Sequence, residues 1–271
     1  MMNSFLSKIL RSAPPLDPDI AGMVIPAERL QGLRENDQFI VSYPRSGNRW
    51  LRVIVRDVIV LNRPELPAPE DLKTLVPDLH HYEPDGPALA QFGVQARILK
   101  SHNLRDIAGR RMVYIFRQAA DALVSFYRFR CQQPQWAATV SSMTLEAFCS
   151  AMLPGWIDHM EIAVRAANRS PEHTCFVAYE ALHASPLPAV RKTVGFLGLH
   201  ATDDVIARAI EGNAFEKNRA QLAPGSGPIL RKGRVGSASE ELSTEMLTRI
   251  EAAAEPLYLR ANEIANAEPP R

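Results

Sequence analysis

The stretch Gln38-Phe-Ile-Val-Ser-Tyr-Pro-Arg-Ser-Gly-Asn48 decides the fold. Its first five residues contain an apolar run with β-branched side chains, which is typical of a strand that is buried on both faces. The next residues form a turn, because Pro44 restricts φ and Gly47 allows a positive φ. Beyond the turn, apolar side chains recur at the spacing of a helix that buries one face: Leu51, Ile54, Val55 and Val58. We therefore predict a strand, a loop and a helix over residues 38 to about 60.

The same alternation of strand and helix continues along the chain. Short apolar runs predict three further strands, at residues 97–100, 112–116 and 175–177. Apolar spacing and turn signals predict four further helices, near residues 119–127, 186–197, 203–211 and 239–264. This alternation favours a single α/β domain with a central, mostly parallel sheet that is flanked by helices. We place the domain at residues 36–271, after an N-terminal arm of residues 1–35.

Composition and charge exclude several classes of protein. With 271 residues, 46% of them hydrophobic and 23% charged, the chain is neither disordered nor fibrous. Its 31 Lys and Arg residues balance 30 Asp and Glu residues, so no overall field attracts nucleic acid or a membrane surface. Three cysteines without a short spacing argue against a zinc cage or a disulfide framework. No apolar run is long enough to span a membrane, and we expect a cytoplasmic protein.

The loop between the first strand and its helix has the chemistry of an anion site. A loop that opens a helix presents unpaired backbone N–H groups, and the helix dipole adds positive charge there. Four side chains add donors to this backbone: Arg45, Ser46, Asn48 and Arg49. The loop differs from a Walker A motif, because it lacks the second glycine and the Lys-Ser/Thr pair that meets Mg²⁺. Taken alone, such a basic loop more often only connects a strand to a helix.

Two other basic segments change this interpretation. Arg117 ends the predicted strand 112–116, and Ser125 lies about two turns along the following helix. Near the C-terminus, Arg231-Lys-Gly-Arg-Val-Gly236 is a second basic loop, with glycines that let the backbone approach a ligand. Tyr43, His102 and Arg117 all follow strand ends, and ligands of parallel sheets bind beyond the carboxyl ends of the strands, so these three residues are expected to meet in one crevice. Three separate phosphate-type segments predict one ligand with several anionic groups.

These segments, in this order, resemble the signatures of sulfotransferases that use 3′-phosphoadenosine 5′-phosphosulfate (PAPS). The similarity is carried by residues 43–51, 112–127 and 231–236, together with Tyr179-Glu-Ala-Leu182 and Gly195-Phe-Leu-Gly198. It extends over about residues 38 to 240. The resemblance implies a PAPS-dependent sulfotransferase, in which the first strand, loop and helix form a phosphate site like that of P-loop NTPases.

The resemblance also implies which residues bind PAPS. The 5′-phosphosulfate would contact the first loop, at Arg45, Ser46, Gly47, Asn48 and Arg49. The 3′-phosphate would contact the two later segments, at Arg117, Ser125, Arg231, Lys232 and Gly233. The adenine would lie against aromatic side chains, Trp50, Tyr179 and Phe215. Ordinary core packing is the open alternative for these three aromatic residues.

Lys100-Ser-His102 resembles the Lys-x-His segment of the same family and supplies the predicted catalytic centre. His102 is the candidate general base, since imidazole titrates close to neutral pH. Lys100 would reach the sulfuryl oxygens, and Arg45 would neutralise the bridging oxygen as the leaving phosphate gains charge. With these cations in place, no metal is required. Arg45 stands where the family usually has lysine, so it keeps the charge but does not act as a proton donor.

Residues that bind the acceptor are expected beside the predicted base. The proline-rich residues 61–93 include His80 and His81, and a segment that resembles a pocket-lining helix of cytosolic relatives includes Trp156 and His159. Surface exposure is the alternative for His80 and His81, and core packing is the alternative for Trp156. The acceptor itself stays open: a small metabolite, a glycan and a glycolipid all fit, and the oligomeric state is equally open.

Two other functions stay open on the sequence alone. A P-loop-like nucleotide kinase or phosphotransferase would need ATP and Mg²⁺, for which the chain lacks the usual loop. A catalytically silent nucleotide-binding protein would not need Lys100 and His102.

Overall fold

A computed structural model of the chain describes residues 23–67, 75–81, 88–107, 109–214 and 234–267. Within these ranges one parallel sheet contains four strands: β1 (Gln38–Ser42), β2 (Ile98–Ser101), β3 (Arg111–Phe116) and β4 (Thr174–Ala178). Their spatial order is β2-β1-β3-β4. This arrangement confirms the predicted parallel α/β fold.

Helices cover both faces of the sheet. Among the described residues they are α1 (Ala27–Gln31), α2 (Asn48–Leu61), α3 (Ala88–Gln91), α4 (Ala119–Arg130), α5 (Pro134–Ser141), α6 (Leu145–Arg169), α7 (Tyr179–Ala184), α8 (Pro186–Phe196), α9 (Asp203–Gly212) and α10 (Thr244–Asn266). Two short 3-10 turns, Pro171–His173 and Ser237–Glu240, precede β4 and α10. In this part of the chain, no helix has the length and apolar character needed to cross a membrane.

The strands are buried on both faces, as their apolar runs predict. Ile40 and Val113 belong to a core on one face, which includes side chains of α2, α8 and α9. Val41 and Tyr114 belong to a core on the other face, with side chains of α4, α6 and α10. Burial of apolar surface, worth roughly 25 cal/mol per Å², therefore holds the sheet between two helical layers.

The helices that follow the neighbouring strands β1 and β3 lie on opposite faces of the sheet. The loop after β1 leads into α2 on one face, whereas the loop after the neighbouring strand β3 leads into α4 on the other face. The two loops therefore diverge and open a crevice at the carboxyl ends of these strands. Since they begin at Tyr43 and Arg117, the fold brings two of the predicted phosphate segments to this crevice.

The helices differ from the prediction in two ways. Five described helices are not among those that the apolar spacing predicts: α1, α3, α5, α6 and α7. The longest of these, α6, is expected only around Trp156 and His159, from the resemblance to a pocket-lining helix, and it contains Pro154 and Gly155, which usually indicate the end of a helix. The last helix begins at Thr244 rather than near Ser239. Ser243 Oγ accepts a hydrogen bond from the backbone N–H of Met246 (3.2 Å), and this cap sets the start of α10.

Candidate active site

The loop after β1 has a backbone conformation that few residue types adopt readily. Gly47 has a φ of 99° and Arg45 has a φ of 68°, both in the left-handed region. A Cβ added at Gly47 would lie 2.6 Å from Cδ2 of Tyr179, which is too close for a side chain. Glycine is thus required at this position both by its φ and by the ring that packs on it. The strained φ of Arg45 is of the kind found in ligand-binding loops.

Polar atoms are buried near this loop without a hydrogen-bond partner. Among the described residues, Ser46 Oγ, Asn48 Oδ1 and Arg117 Nε are unpaired. Gly47 offers no side chain to cap α2, and the first turn of this helix contains no acidic residue. Buried polar groups are nearly always paired, and a helix N-terminus favours negative charge. The two donors among them, Ser46 Oγ and Arg117 Nε, therefore fit an anionic ligand. Asn48 does not, because its Oδ1 only accepts hydrogen bonds and its Nδ2 already donates to the carbonyl of Ile40 at 3.2 Å.

Arg117 is buried at the start of the loop after β3 and is held from several sides. Its guanidinium lies 3.2 Å from the carboxylate of Asp121 and 4.3 Å from the ring centroid of Tyr179. It also donates to the backbone carbonyls of Arg45 (3.4 Å) and Arg234 (3.2 Å). One cation therefore connects the loop after β1, helix α4, the start of α7 and the C-terminal basic segment.

Asp121 fixes the end of the C-terminal basic segment beside this cation. Its Oδ2 accepts a hydrogen bond from the backbone N–H of Gly236 (2.8 Å), and its Oδ1 accepts one from that of Ala238 (2.9 Å). The described end of the second basic loop therefore lies next to Arg117. Four of the residues predicted to contact PAPS lie outside the described residues: Phe215, Arg231, Lys232 and Gly233.

Arg45 and Ser125, which the resemblance assigns to different phosphate groups, contact each other. The Arg45 Nε donates to Ser125 Oγ at 3.2 Å, and its guanidinium lies 4.6 Å from the ring centroid of Phe129. Because both partners are on α4, this helix orients the cation of the loop. Arg49, in contrast, lies exposed on the first turn of α2.

Trp50 and Tyr179 form an aromatic cluster next to the loop. Their ring centroids are 6.3 Å apart in an edge-to-face arrangement, and Trp50 Nε1 donates to the carbonyl of Asn213 at 2.9 Å. His183, which is not among the predicted site residues, completes the cluster. Its Nε2 lies 2.9 Å from the Tyr179 hydroxyl, and its ring centroid lies 5.1 Å from that of Trp50. The one sequence signal for this contact is the i, i+4 spacing of Tyr179 and His183.

His102 directly follows β2 and is hydrogen-bonded to the end of β1. Its Nδ1 lies 2.8 Å from the carbonyl oxygen of Ser42, the residue that precedes the loop. A carbonyl oxygen only accepts hydrogen bonds, so Nδ1 carries the proton and Nε2 keeps its lone pair. Burial, together with the charge of Lys100, holds the pKa of His102 well below its ordinary value. The ring is therefore neutral, as a general base has to be.

Lys100 is buried and forms an ion pair with Asp78. Its Nζ lies 2.9 Å from Asp78 Oδ2. Burial lowers the pKa of Lys100 to about 8, although the carboxylate of Asp78 opposes this shift. Burial works to raise the pKa of Asp78, but the charges of Lys100 and Arg52 outweigh it, and that pKa is lowered. The ammonium predicted to contact the sulfuryl oxygens is thus shared with a carboxylate that the sequence pattern does not reveal.

The four predicted acceptor residues lie in different environments. His81 is exposed, whereas Trp156 has none of its surface exposed and packs in the core, its alternative role. His80 and His159 contact the backbone of His102, one at its N–H and the other at its carbonyl group. Acceptor contacts of these residues stay predictions. In the described part of the chain, no group of three or more His, Cys, Asp or Glu side chains is arranged to hold a metal ion.

Known proteins share this fold and sequence pattern. A family model described as "Sulfotransferase domain" matches residues 35–261. Cytosolic sulfotransferase 17 of Arabidopsis thaliana is 26% identical, over 90% of this chain and 80% of its own length. Cytosolic sulfotransferase 5 of the same plant is 28% identical, over 80% of this chain and 78% of its own length.

Among solved structures, mouse sulfotransferase SULT7A1 complexed with PAP has a TM-score of 0.64 and 19% identity. The match covers 93% of this chain and 94% of the mouse chain. Retinol dehydratase in a complex with retinol and PAP has a TM-score of 0.60 and 18% identity, over 90% and 95% of the two chains. The family match spans most of the chain, including all four strands of the sheet, and the chain therefore belongs to the sulfotransferase domain family.

Proposed function

We propose that this sulfotransferase moves the sulfuryl group of PAPS to a hydroxyl or amine group of a small molecule, with His102 as general base. The observation that carries the proposal is the hydrogen bond between His102 Nδ1 and the carbonyl of Ser42. It holds a neutral imidazole next to the residues that begin the anion-binding loop. Two neighbouring strands, β1 and β2, thereby bring the base and the loop to one edge of the sheet.

The proposed PAPS site fits a nucleotide with two separate anionic groups. Ser46 and the N-terminus of α2 form one set of hydrogen-bond donors. Arg117 and the segment that ends at Gly236 form a second set. Trp50 and Tyr179 offer aromatic surfaces, and stacking on such rings contributes roughly 1–3 kcal/mol per base. Both structural neighbours named above are complexed with PAP, the bisphosphate that PAPS leaves after transfer.

The residues of this chain divide the chemistry between them. PAPS supplies the sulfuryl group and a good leaving group. His102 accepts on Nε2 the proton that the acceptor loses as its oxygen or nitrogen attacks. Arg45 and Lys100 supply positive charge that stabilises the negative charge developing on the transferred and leaving groups. Burial lowers the pKa of Lys100, but the ion pair with Asp78 opposes this shift, and the pKa is about 8. Most of the Lys100 side chains are therefore charged at neutral pH.

The acceptor is proposed to be a small molecule in the cytosol. Retinol and androsterone are bound in structures of retinol dehydratase, a neighbour with the same fold. The curated relatives named above are cytosolic by name. Glycan and glycolipid acceptors are alternatives that the transfer experiment separates.

Isothermal titration calorimetry with PAP and with ATP, both without metal, tests the donor. We expect PAP to bind about 100-fold more tightly, because only PAP carries a 3′-phosphate, and charge-assisted hydrogen bonds contribute roughly 1.5–3 kcal/mol each. Binding of ATP without binding of PAP would contradict the proposal and support the kinase alternative.

Transfer is tested with PAPS that carries radioactive sulfur. The acceptors are a phenol, an aliphatic alcohol, an aromatic amine, an oligosaccharide and a glycolipid, followed by a cell extract. We expect a labelled small-molecule product. If PAP binds but no acceptor is labelled in any of these samples, the silent nucleotide-binding alternative is the better description.

A further inference from the structure

The backbone of His102 is held at both of its polar groups by other histidines. Its N–H donates to His80 Nε2 at 2.9 Å, and its carbonyl oxygen accepts a hydrogen bond from His159 Nε2 at 3.0 Å. The ring is held separately, through Nδ1, by the carbonyl of Ser42. The proposed reaction uses one imidazole, so the two flanking histidines need an explanation of their own.

His159 is buried, and its hydrogen bonds allow only one tautomer of its ring. Only 3% of its surface is exposed, on helix α6. Its Nε2 faces a carbonyl oxygen and therefore carries the proton, which leaves Nδ1 to accept from the hydroxyl of Tyr114 at 2.8 Å. The ring of Tyr114 also stacks on the imidazole, with centroids 5.5 Å apart. Strand β3 thus anchors His159, and His159 anchors the carbonyl of His102.

His80 has the opposite tautomer. Its Nδ1 lies 2.9 Å from the carbonyl oxygen of Val24 and therefore carries the proton. Its Nε2 is free to accept, and it meets the backbone N–H of His102. The hydroxyl of Ser101 lies 3.3 Å from the same nitrogen. His80 thus connects the candidate base to the segment that precedes α1.

His102 is thus held by two pairs of hydrogen bonds, one on each side of its Cα. On one side the hydroxyl of Tyr114 donates to His159, which donates to the carbonyl group of His102. On the other side the N–H of His102 donates to His80, which donates to the carbonyl of Val24. Both pairs require the flanking histidine to be neutral, and burial lowers the pKa of each to about 4.

We propose that His80 and His159 are positioning residues for His102. They hold its backbone from both ends, so that Nδ1 stays on the carbonyl of Ser42 and Nε2 alone is left to take a proton. This inference rests on the proposed role of His102 as the base. It gives His80 and His159 a different role from the acceptor contact that the sequence suggests.

Matched variants separate positioning from packing. His159→Leu and His80→Leu each remove one anchor. His159→Gln and His80→Gln keep an amide that donates or accepts close to the position of Nε2. His173→Gln is the control. His173 is exposed and immediately precedes the first residue of β4, at the edge of the sheet opposite to the candidate site.

Nitrogen-15 NMR of the histidine rings reports the tautomer of His102 without any acceptor. In the unsubstituted protein we expect a single form of His102, protonated on Nδ1. In either leucine variant a form protonated on Nε2 is expected as the bond to Ser42 loosens. Both glutamine variants and the His173→Gln control are expected to keep the original signal.

An unchanged tautomer in folded leucine variants would overturn the proposal. Should the leucine variants not fold, Tyr114→Phe decides, because it keeps the ring and removes only the hydroxyl that holds His159. We then expect a smaller fraction of the Nε2 form, and no change in His102 would equally overturn the proposal.

Kinetics supply a second readout, with PAPS and the acceptor that the transfer screen identifies. We expect kcat of the leucine variants to fall about 10- to 100-fold, and the glutamine variants to recover to within about threefold. The Kd of PAP, measured by calorimetry, is expected to stay unchanged. A parallel loss of PAP affinity would indicate a general structural role and overturn the proposal. Absence of transfer by the unsubstituted protein would count against the proposed function, whereas the NMR test would still stand.

Discussion

Two parts of the site are held in place by opposite means. Arg117 is fixed by charge and by a π surface, with Asp121 at 3.2 Å and the ring centroid of Tyr179 at 4.3 Å. His102 is fixed by neutral hydrogen bonds, to a carbonyl and to two uncharged imidazoles. Where ligand charge is to be bound, the chain keeps a permanent cation. Where a proton is to be moved, it keeps the imidazoles neutral and leaves one nitrogen basic.

Removal of the His102 imidazole is expected to have the largest effect. It should lower the rate of transfer and leave the binding of PAP unchanged. His102→Ala should lower transfer about 1,000-fold, since a general base contributes roughly 10²–10⁴-fold. The Kd of PAP should stay the same, because Arg117 and the loop after β1 are untouched. Transfer of labelled sulfur and calorimetry measure the two quantities. A comparable loss in both would show that the base and the donor site are not separate.

Acid is expected to remove the stability that the neutral imidazoles of His80 and His159 give the folded protein. The pKa values of His80 and His159 are lowered from 6.5 to about 4 in the folded protein, so the unfolded chain binds more protons between these values. Their contribution to stability is complete above pH 6.5 and is lost as the pH falls toward 4. Each group contributes a slope of at most about 1.4 kcal/mol per pH unit.

Urea unfolding at several pH values between 7 and 5 measures this slope. The double variant H80Q/H159Q has no imidazole at either position and should lose this part of the pH dependence. Equal slopes for both proteins would show that His80 and His159 do not cause this pH dependence.

Loss of the Arg117 guanidinium is expected to weaken the binding of PAP, whereas the candidate base His102 stays in place. Arg117→Ala should raise the Kd of PAP about 30-fold, which corresponds to roughly 2 kcal/mol for a charge-assisted contact. Arg165→Ala is the matched control, since Arg165 forms an exposed ion pair with Glu161 on α6. Calorimetry that finds the same Kd for both variants would remove Arg117 from the donor site.

A change in the loop backbone is expected to have the smallest effect. Gly47→Ala should destabilise the protein by about 1–2 kcal/mol, because φ is 99° and the new Cβ would meet the ring of Tyr179. Gly195→Ala on α8 is the control: its Cβ meets nothing within 4 Å, and alanine should stabilise the helix by about 0.5–1 kcal/mol. Urea unfolding measures both, and a neutral Gly47→Ala would contradict the close packing on Tyr179.

Local patterns made much of the fold predictable. Phe39, Ile40 and Val41 form an apolar run with two β-branched residues, and the strand that this run predicts over residues 38–42 is the observed β1. The glycine at position 47 and the apolar spacing after it likewise predict the loop and α2. The length of helix α6 shows the limit of this reasoning, because Pro154 and Gly155 usually indicate the end of a helix but here lie inside one that tertiary packing stabilises.

The candidate site was predictable only where a motif carries it. Arg117 and His102 belong to segments with a family signature, and the fold brings their strand ends to one edge of the sheet. Asp78, which pairs with Lys100, and His183, which bonds to Tyr179, belong to none of the recognised segments. Such contacts depend on where side chains meet in three dimensions, and a single sequence does not contain that information in local form.

A crystal structure with PAP bound would show whether the base and the phosphate site act on the same ligand. We expect the 5′-phosphate at Ser46 and the N-terminus of α2, and the 3′-phosphate at Arg117. Nε2 of His102 should then face the side of the 5′-phosphate to which the sulfuryl group is attached in PAPS. PAP bound away from Arg117, or with its 5′-phosphate on the far side of the loop from His102, would show that the two parts do not form one active site.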